Sequence, residues 1–347
     1  MLPLRWDLFC RVIDNHGDLG VSFRLARQLA RRGETVRLWI DERAALRWMA
    51  GGDTAGVELR SWHDASVGAE PGDVVIEAFG CKLPAGFIAA MAACARPPLW
   101  IDLEYLSAEP FVERSHALPS PQFGGPGRGL TKWFYFPGFS PRTGGLMRED
   151  DLAQRQQAFD AAGWLRAQAI ETLRGERRVS VFCYPHAPIG PLAQWLSAEP
   201  MLLLLTPEAP PPPPAAPAAL RHRPLPWLSQ TDYDHLLWSC ELNLVRGEDS
   251  VVRAVWAGVP FLWHIYPQAD GAHGAKLGSF MRMYLHGADA ALAEPLQQAF
   301  FAWNGLAPWP TPIGATAWRA HARAVRDRLW AQSDLVSRLL GFVAQRR

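Results

Sequence analysis

Lysine is scarce in this chain, with only Lys82, Lys132 and Lys276 among 347 residues. An enzyme working through a Schiff base therefore has few candidate amines. Five cysteines (Cys10, Cys81, Cys94, Cys183, Cys240) are scattered with no C-x-x-C pair. Several sit in apolar runs, which suits buried free thiols in a reducing compartment better than metal ligands. No apolar run approaches the ~18 residues of a membrane span. Arg5 and Asp7 come too early for a secretory signal peptide, so the expected location is the cytoplasm. Net charge is only +1. That excludes bulk attraction to nucleic acid or anionic lipid, and neither is expected as a partner.

What is present reads as a globular α/β protein. Hydrophobic residues make up 49% and charged residues 20%, and the length suits two domains. Strand-like runs at 6–13, 35–41, 57–62, 73–79 and 98–103 alternate with helix-like segments at 19–32, 43–49 and 88–95. Such alternation predicts a doubly wound parallel sheet. A looser stretch rich in proline, glycine and aromatics spans 107–150, and a helical segment covers about 151–174. The pattern then restarts with strands at 177–184, 201–205, 240–245 and 259–265 and a helix at 250–257. Pro210 to Pro214 interrupt it; they donate no ladder hydrogen bonds and mark a surface loop. The tail from 316 to 347 is helical and arginine-rich.

Two stretches carry chemistry. In VIDNHGDLGVSFRLARQLARRG (12–33) a strand enters a glycine-bearing turn that holds two carboxylates, Asp14 and Asp18. Many folds bind phosphate at this turn, so negative charge there points elsewhere; Asp18 also suits simple capping of the helix. In NLVRGEDSVVRAVWAGVPFLWHIYPQ (243–268) a buried strand delivers Arg246-Gly247-Glu248-Asp249-Ser250 to a helix start. Unpaired backbone N–H groups and the helix dipole favour an anion there, with Arg246 and Ser250 as further donors. Glu248 and Asp249 suit capping or sugar hydroxyls, and an ordinary capped helix with a salt bridge has the same spacing.

This layout resembles the nucleotide-sugar half of glycosyltransferases with two facing Rossmann-like domains: Ser250, Ala254 and Gly258-Val259-Pro260 fall at matching positions, while Arg253 stands where that pattern carries glutamate. The chain more specifically resembles the EarP family, arginine rhamnosyltransferases that modify translation elongation factor P. The resemblance rests on VIDNHGDLGV, EAFGCKLP (77–84), DLEYLSAE (102–109), KWFYFPGF (132–139), VFCYPHAP (181–188), LPWLSQTDYDHLLWSCELNLVRGEDS (225–250) and WHIYPQADGAH (263–273). His16 departs from an aromatic often found in the first motif.

The resemblance implies an α/β fold of GT-B type, two facing Rossmann-like domains with a cleft between them. The expected division is 1–155 for the acceptor domain and 156–324 for the nucleotide-sugar domain, with helix 325–347 packing back on the first. It implies an inverting transfer of L-rhamnose from dTDP-β-L-rhamnose to an arginine of elongation factor P. Asp18 is then the general base and Asp14 orients the guanidinium, with the phosphates bound on the opposite domain. Phe182 and Tyr184 would lie near the thymine, and Gln230 and Tyr233 would line the base and sugar pocket. Arg246, Asp249 and Ser250 would hold the diphosphate and ribose, and Glu248 the rhamnose or diphosphate edge. Asp232-Tyr233-Asp234 reads D-x-D, the metal signature of single-domain sugar transferases. It opens a helix, so capping plus a Tyr233 contact is the expectation, with no metal or other cofactor. His186, His264 and His273 lack zinc spacing. A non-catalytic nucleotide-sugar-binding module, or a transferase with another sugar or acceptor, remain as alternatives.

Overall fold

A computed structural model describes residues 3–11, 17–66, 68–267 and 272–347. The chain forms two compact units, Met1–Glu149 with Gln332–Arg347, and Asp150–Ala331. In the first, β1 (Arg5–Cys10), β2 (Thr35–Ile40), β3 (Val57–Ser61), β4 (Val74–Ala78) and β5 (Leu99–Leu103) alternate with α1 (Gly17–Arg31), α2 (Leu46–Met49), α3 (Trp62–Ser66) and α4 (Ala85–Ala93). After α5 (Pro110–Ser115) come β6 (Pro119–Pro121) and β7 (Thr131–Tyr135). The sheet order is β3-β2-β1-β4-β5-β7-β6. Only β6 runs antiparallel to its neighbour. The order 3-2-1-4-5 of the first five strands is that of a Rossmann-like domain.

Strand β1 shows why the run RWDLFC suits the sheet centre. Trp6, Leu8 and Cys10 enter one core cluster with Leu19, Phe23 and Leu38, while Phe9 enters the other with Trp39, Val75 and Phe87. Period-two alternation thus buries both faces. Asp7, between them, is fully buried. Its two oxygens accept from Arg37 at 2.6 and 2.7 Å, from Trp39 Nε1 at 2.8 Å and from the Gly72 N–H at 2.6 Å. A buried carboxylate is tolerable only when so fully partnered.

The second unit contains α6 (Leu152–Ala158), α7 (Ala161–Ala167), β8 (Arg177–Val181), α8 (Ile189–Trp195), β9 (Met201–Leu205), β10 (Leu220–Pro224), α9 (Gln230–Ser239) and β11 (Leu242–Arg246). It continues with α10 (Gly247–Ala257), β12 (Phe261–His264), α11 (Ala272–Tyr284), α12 (Ala290–Trp303) and α13 (Ala315–Trp330). Its five strands are all parallel in the order β10-β9-β8-β11-β12, again a 3-2-1-4-5 arrangement.

Several elements differ from the sequence expectation. The loose stretch 107–150 contains the β6–β7 pair, whose edge strand begins and ends in proline, as an edge tolerates. The helical segment 151–174 is two short helices, because the Asp160 carboxylate accepts from the Gly163 N–H at 3.0 Å and starts a new one. The tail is likewise divided. Helix α13 belongs to the second unit, where Trp330 packs edge-on against Trp256 at 5.4 Å. Asp334 then caps α14 (Leu335–Ala344), which belongs to the first unit. Leu335, Val336, Leu339, Phe342 and Val343 of α14 join the β1 core, each burial contributing roughly 1.5–3 kcal/mol. The division therefore falls at 149/150 and 331/332, beside the 155/156 and 324/325 expected. Among the described residues no helix is long and apolar enough to cross a membrane.

Candidate active site

In an open α/β sheet, ligands bind outside the carboxyl ends of the strands, where the strand order reverses. In the second unit that switch point lies between β8 and β11. Strand β8 leads into Phe182, Cys183 and Tyr184, and β11 ends on Arg246. Arg246 is buried, with its guanidinium carbon 4.4 Å from the Phe182 ring centre and 4.9 Å from that of Tyr184. This aromatic clamp orients the planar cation. Its Nη1 donates to the Cys183 carbonyl at 3.0 Å, and its Nη2 donates to Glu208 Oε2 at 2.8 Å. The fork expected to stand open toward a diphosphate is thus partly engaged, and Glu208 is a neighbour that sequence reasoning missed.

Helix α10 starts directly at Arg246, with Gly247 in the left-handed region (φ 68°) and Glu248, Asp249 and Ser250 in the first turn. Ser250 is buried, and Glu248 Oε1 accepts from Lys276 on α11 at 2.8 Å. Tyr233 of α9 meets Phe182 edge-on at 5.6 Å. Burial pushes its phenol well above the usual range, against a lowering by the Ser250 hydroxyl. The pair stops short of good hydrogen-bond geometry. Gln230, the first residue of α9, is buried. Phe182, Tyr184, Tyr233, Arg246 and Ser250 therefore form one cluster, Asp249 follows Arg246 in the same first turn, and Glu248 turns toward α11.

Histidine supports this cluster. His264, the last residue of β12, accepts the Tyr184 N–H on Nδ1 at 3.2 Å, and its ring lies 5.1 Å from that of His186. Burial, reinforced by His186 and Arg246, lowers its pKa to about 3. It is a neutral acceptor that holds the Tyr184 backbone. Both carboxylates of the D-x-D sequence are structurally engaged. Ser229 is the cap of α9, and Asp232 accepts from its hydroxyl at 2.7 Å and from Trp164 Nε1 at 3.1 Å. Asp234 accepts from Arg253 Nε and Nη2 at 2.8 and 2.7 Å. Among the described residues no group of three or more His, Cys, Asp or Glu is placed to hold a metal ion. Cavities of about 310 and 440 Å³ open at the amino ends of this sheet, beside Arg177, Met201 and Leu242 for the first and Arg177 for the second, away from the cluster.

In the first unit the switch point lies between β1 and β4. Asp18 is in the first turn of α1, which follows β1, and is 3% exposed. Burial raises the Cys10 thiol to about 12, and the Asp18 charge adds to that rise. Asp14 lies outside the described residues. Across the sheet, Glu77 pairs in register with Asp102, and Lys132 Nζ bridges them at 3.4 and 2.6 Å. EAFGCKLP, DLEYLSAE and KWFYFPGF thus converge through their charged residues. Burial raises the Glu77 pKa, which Lys132 partly opposes. The turn after β4 puts Phe79 and Lys82 at positive φ, and Phe79 stacks on Tyr105 at 4.8 Å. Backbone strain of this kind gathers at functional sites.

A family model described as Elongation-Factor P (EF-P) rhamnosyltransferase EarP matches residues 6–344. The chain belongs to the EarP family. It is 42% identical to the protein-arginine rhamnosyltransferase of Pseudomonas aeruginosa, over 98% of each chain. With the enzyme of the same name from Neisseria meningitidis serogroup B it shares 35%, over 97% of this chain and 96% of the relative. A solved structure described as the structural basis for EarP-mediated arginine glycosylation of translation elongation factor EF-P aligns over 99% of both chains, at TM-score 0.66 and 29% identity. Spinosyn rhamnosyltransferase SpnG, 14% identical, shares the fold alone, at TM-score 0.51 over 98% of this chain and 99% of its own.

This EarP family member is accordingly a protein-arginine rhamnosyltransferase with the two Rossmann-like domains of a GT-B glycosyltransferase, acting on a nucleotide sugar and a protein acceptor. The residue that departs from the general sugar-donor pattern, Arg253, is a buried structural cation in this EarP chain, locked on Asp234.

Proposed function

We propose that the enzyme works in the cytoplasm, moving L-rhamnose from dTDP-β-L-rhamnose to one arginine side chain of translation elongation factor P, with inversion at the anomeric carbon. The observation that carries this reading is the match of an elongation factor P rhamnosyltransferase family over nearly the whole chain. The clamped Arg246 at the amino end of α10 supports it, since a fixed cation and the positive end of a helix dipole suit a departing diphosphate. Ser250 adds a hydroxyl, Asp249 and Glu248 read sugar hydroxyls, and Phe182, Tyr184, Gln230 and Tyr233 form the walls for base and sugar. With Arg246 and the helix start as charge stabilisers, the reaction needs no metal.

The chemical difficulty is the acceptor. A guanidinium stays protonated at neutral pH and is a poor nucleophile. Asp14 grips it, and Asp18 takes one N–H proton as that nitrogen bonds to the anomeric carbon. The bond from that carbon to the β-phosphate oxygen breaks, its electron pair leaves with dTDP, and a single displacement inverts the centre. Asp18 stands in the first turn of α1, at the positive end of the helix dipole.

The test is intact-mass measurement of elongation factor P after incubation with the enzyme and dTDP-rhamnose. A gain of one deoxyhexosyl group is expected, and an unchanged mass refutes the assigned acceptor. Asp18→Asn keeps a side chain that suits a helix start and removes the base. It should bind dTDP normally while transfer falls by about two to four orders of magnitude. Undiminished turnover in that variant removes Asp18 from the role.

A further inference from the structure

The polyproline run follows a turn that carries an acid to the donor-side cation. Thr206-Pro207-Glu208-Ala209 closes with the Ala209 N–H on the Thr206 carbonyl at 3.2 Å. Glu208 occupies its third position at φ 72°. Proline second and positive φ third describe a type II turn, whose third position suits glycine or asparagine. A glutamate there is strained, and its side chain supplies the compensation by reaching Arg246 Nη2 at 2.8 Å. The Arg246 side chain is 4% exposed and that of Glu208 41%, so the carboxylate covers the guanidinium from the solvent side. The ring faces of Phe182 and Tyr184 and the Cys183 carbonyl take the other approaches. Pro210 to Pro214 follow Ala209 directly. Each fixes its own φ and restricts the residue before it, so the loop has few other conformations in which to carry Glu208.

We propose that Glu208 is a donor-site residue that competes with the diphosphate of the incoming nucleoside diphosphate sugar for Arg246. The proposal rests on the diphosphate role of Arg246 given above. Two anions cannot use the same N–H edge, so donor entry exchanges one ion pair for another and Glu208 turns fully into solvent. The apparent dissociation constant is then the intrinsic one divided by the fraction of open pairs. The Glu208 carboxylate is 41% exposed, so water weakens its hold on Arg246 and that fraction is reduced only several-fold. The device favours a diphosphate, which can displace the carboxylate, over an uncharged nucleoside, which cannot.

Calorimetric titration of the full chain with dTDP and with thymidine tests this. Glu208→Gln keeps the side-chain size without the charge, and Glu208→Gly suits the turn backbone and so folds. Both variants should bind dTDP about three- to tenfold more tightly, with thymidine binding unaltered. Unchanged or weaker dTDP binding in both variants overturns the competition. Arg246→Met is the control: wild-type dTDP affinity in that variant refutes the diphosphate role of Arg246 itself, a result distinct from failure of the Glu208 arm alone.

Discussion

Replacing Arg253 with methionine separates a structural cation from a ligand-binding one. Arg253 and Asp234 side chains are each 1% exposed and share two hydrogen bonds of 2.8 and 2.7 Å. Removing one partner of such a pair leaves an uncompensated buried charge and costs about 3–5 kcal/mol. Arg155 Nη1 stands 3.4 Å from the same Asp234 oxygen and remains in the variant, which puts the cost near ~3 kcal/mol. For a domain of about 150–250 residues that lowers Tm by roughly 6–12 °C. Adding Asp234→Leu removes the second charge and should restore most of the loss, since an apolar pair of similar volume replaces a buried ion pair at little cost. Thermal melts of both variants, with dTDP titrations well below the transition, measure the effect. The expected result is a lower Tm with nucleotide affinity retained. A wild-type Tm combined with lost dTDP binding refutes the argument and makes Arg253 a donor-binding residue instead.

Two further outcomes follow from burial. His264 is neutral when folded, with a pKa of about 3 against about 6.5 when unfolded, so the folded chain binds fewer protons between those values. Its contribution to unfolding free energy is full above the unfolded value and falls with pH, by up to about 1.4 kcal/mol per unit. Denaturant titrations from about pH 7 to pH 4 should therefore show a shallower pH slope for His264→Asn, and equal slopes refute the assignment. Burial raises the thiols of Cys10 and Cys183 to about 12 and those of Cys81 and Cys240 still higher, while Cys94 is partly exposed. Native alkylation at neutral pH should label Cys94 first by peptide mapping; Cys183 reacting at a comparable rate refutes the buried thiol.

What the sequence alone determined is local. Alternating apolar runs such as RWDLFC and MLLLL, glycine stops at Gly33 and Gly258, and the strand-to-helix passage through Arg246-Gly247 made the α/β architecture and the α10 helix start legible. These signals lie within a few residues, where strand period, helix period and turn chemistry act. The β6–β7 pair escaped because Thr131–Tyr135 is only half-buried and its partner is three residues long. The break between α13 and α14 escaped because helical periodicity continues on both sides while each helix packs on a different unit. Tertiary structure alone decided which charges meet. Arg246 finds Glu208 from 38 residues away, Arg253 finds Asp234 from 19, and Lys132 bridges Glu77 and Asp102 because β4, β5 and β7 lie side by side. Strand order sets those meetings, and crossover connections let neighbours in space be distant in the chain, so no local pattern records them.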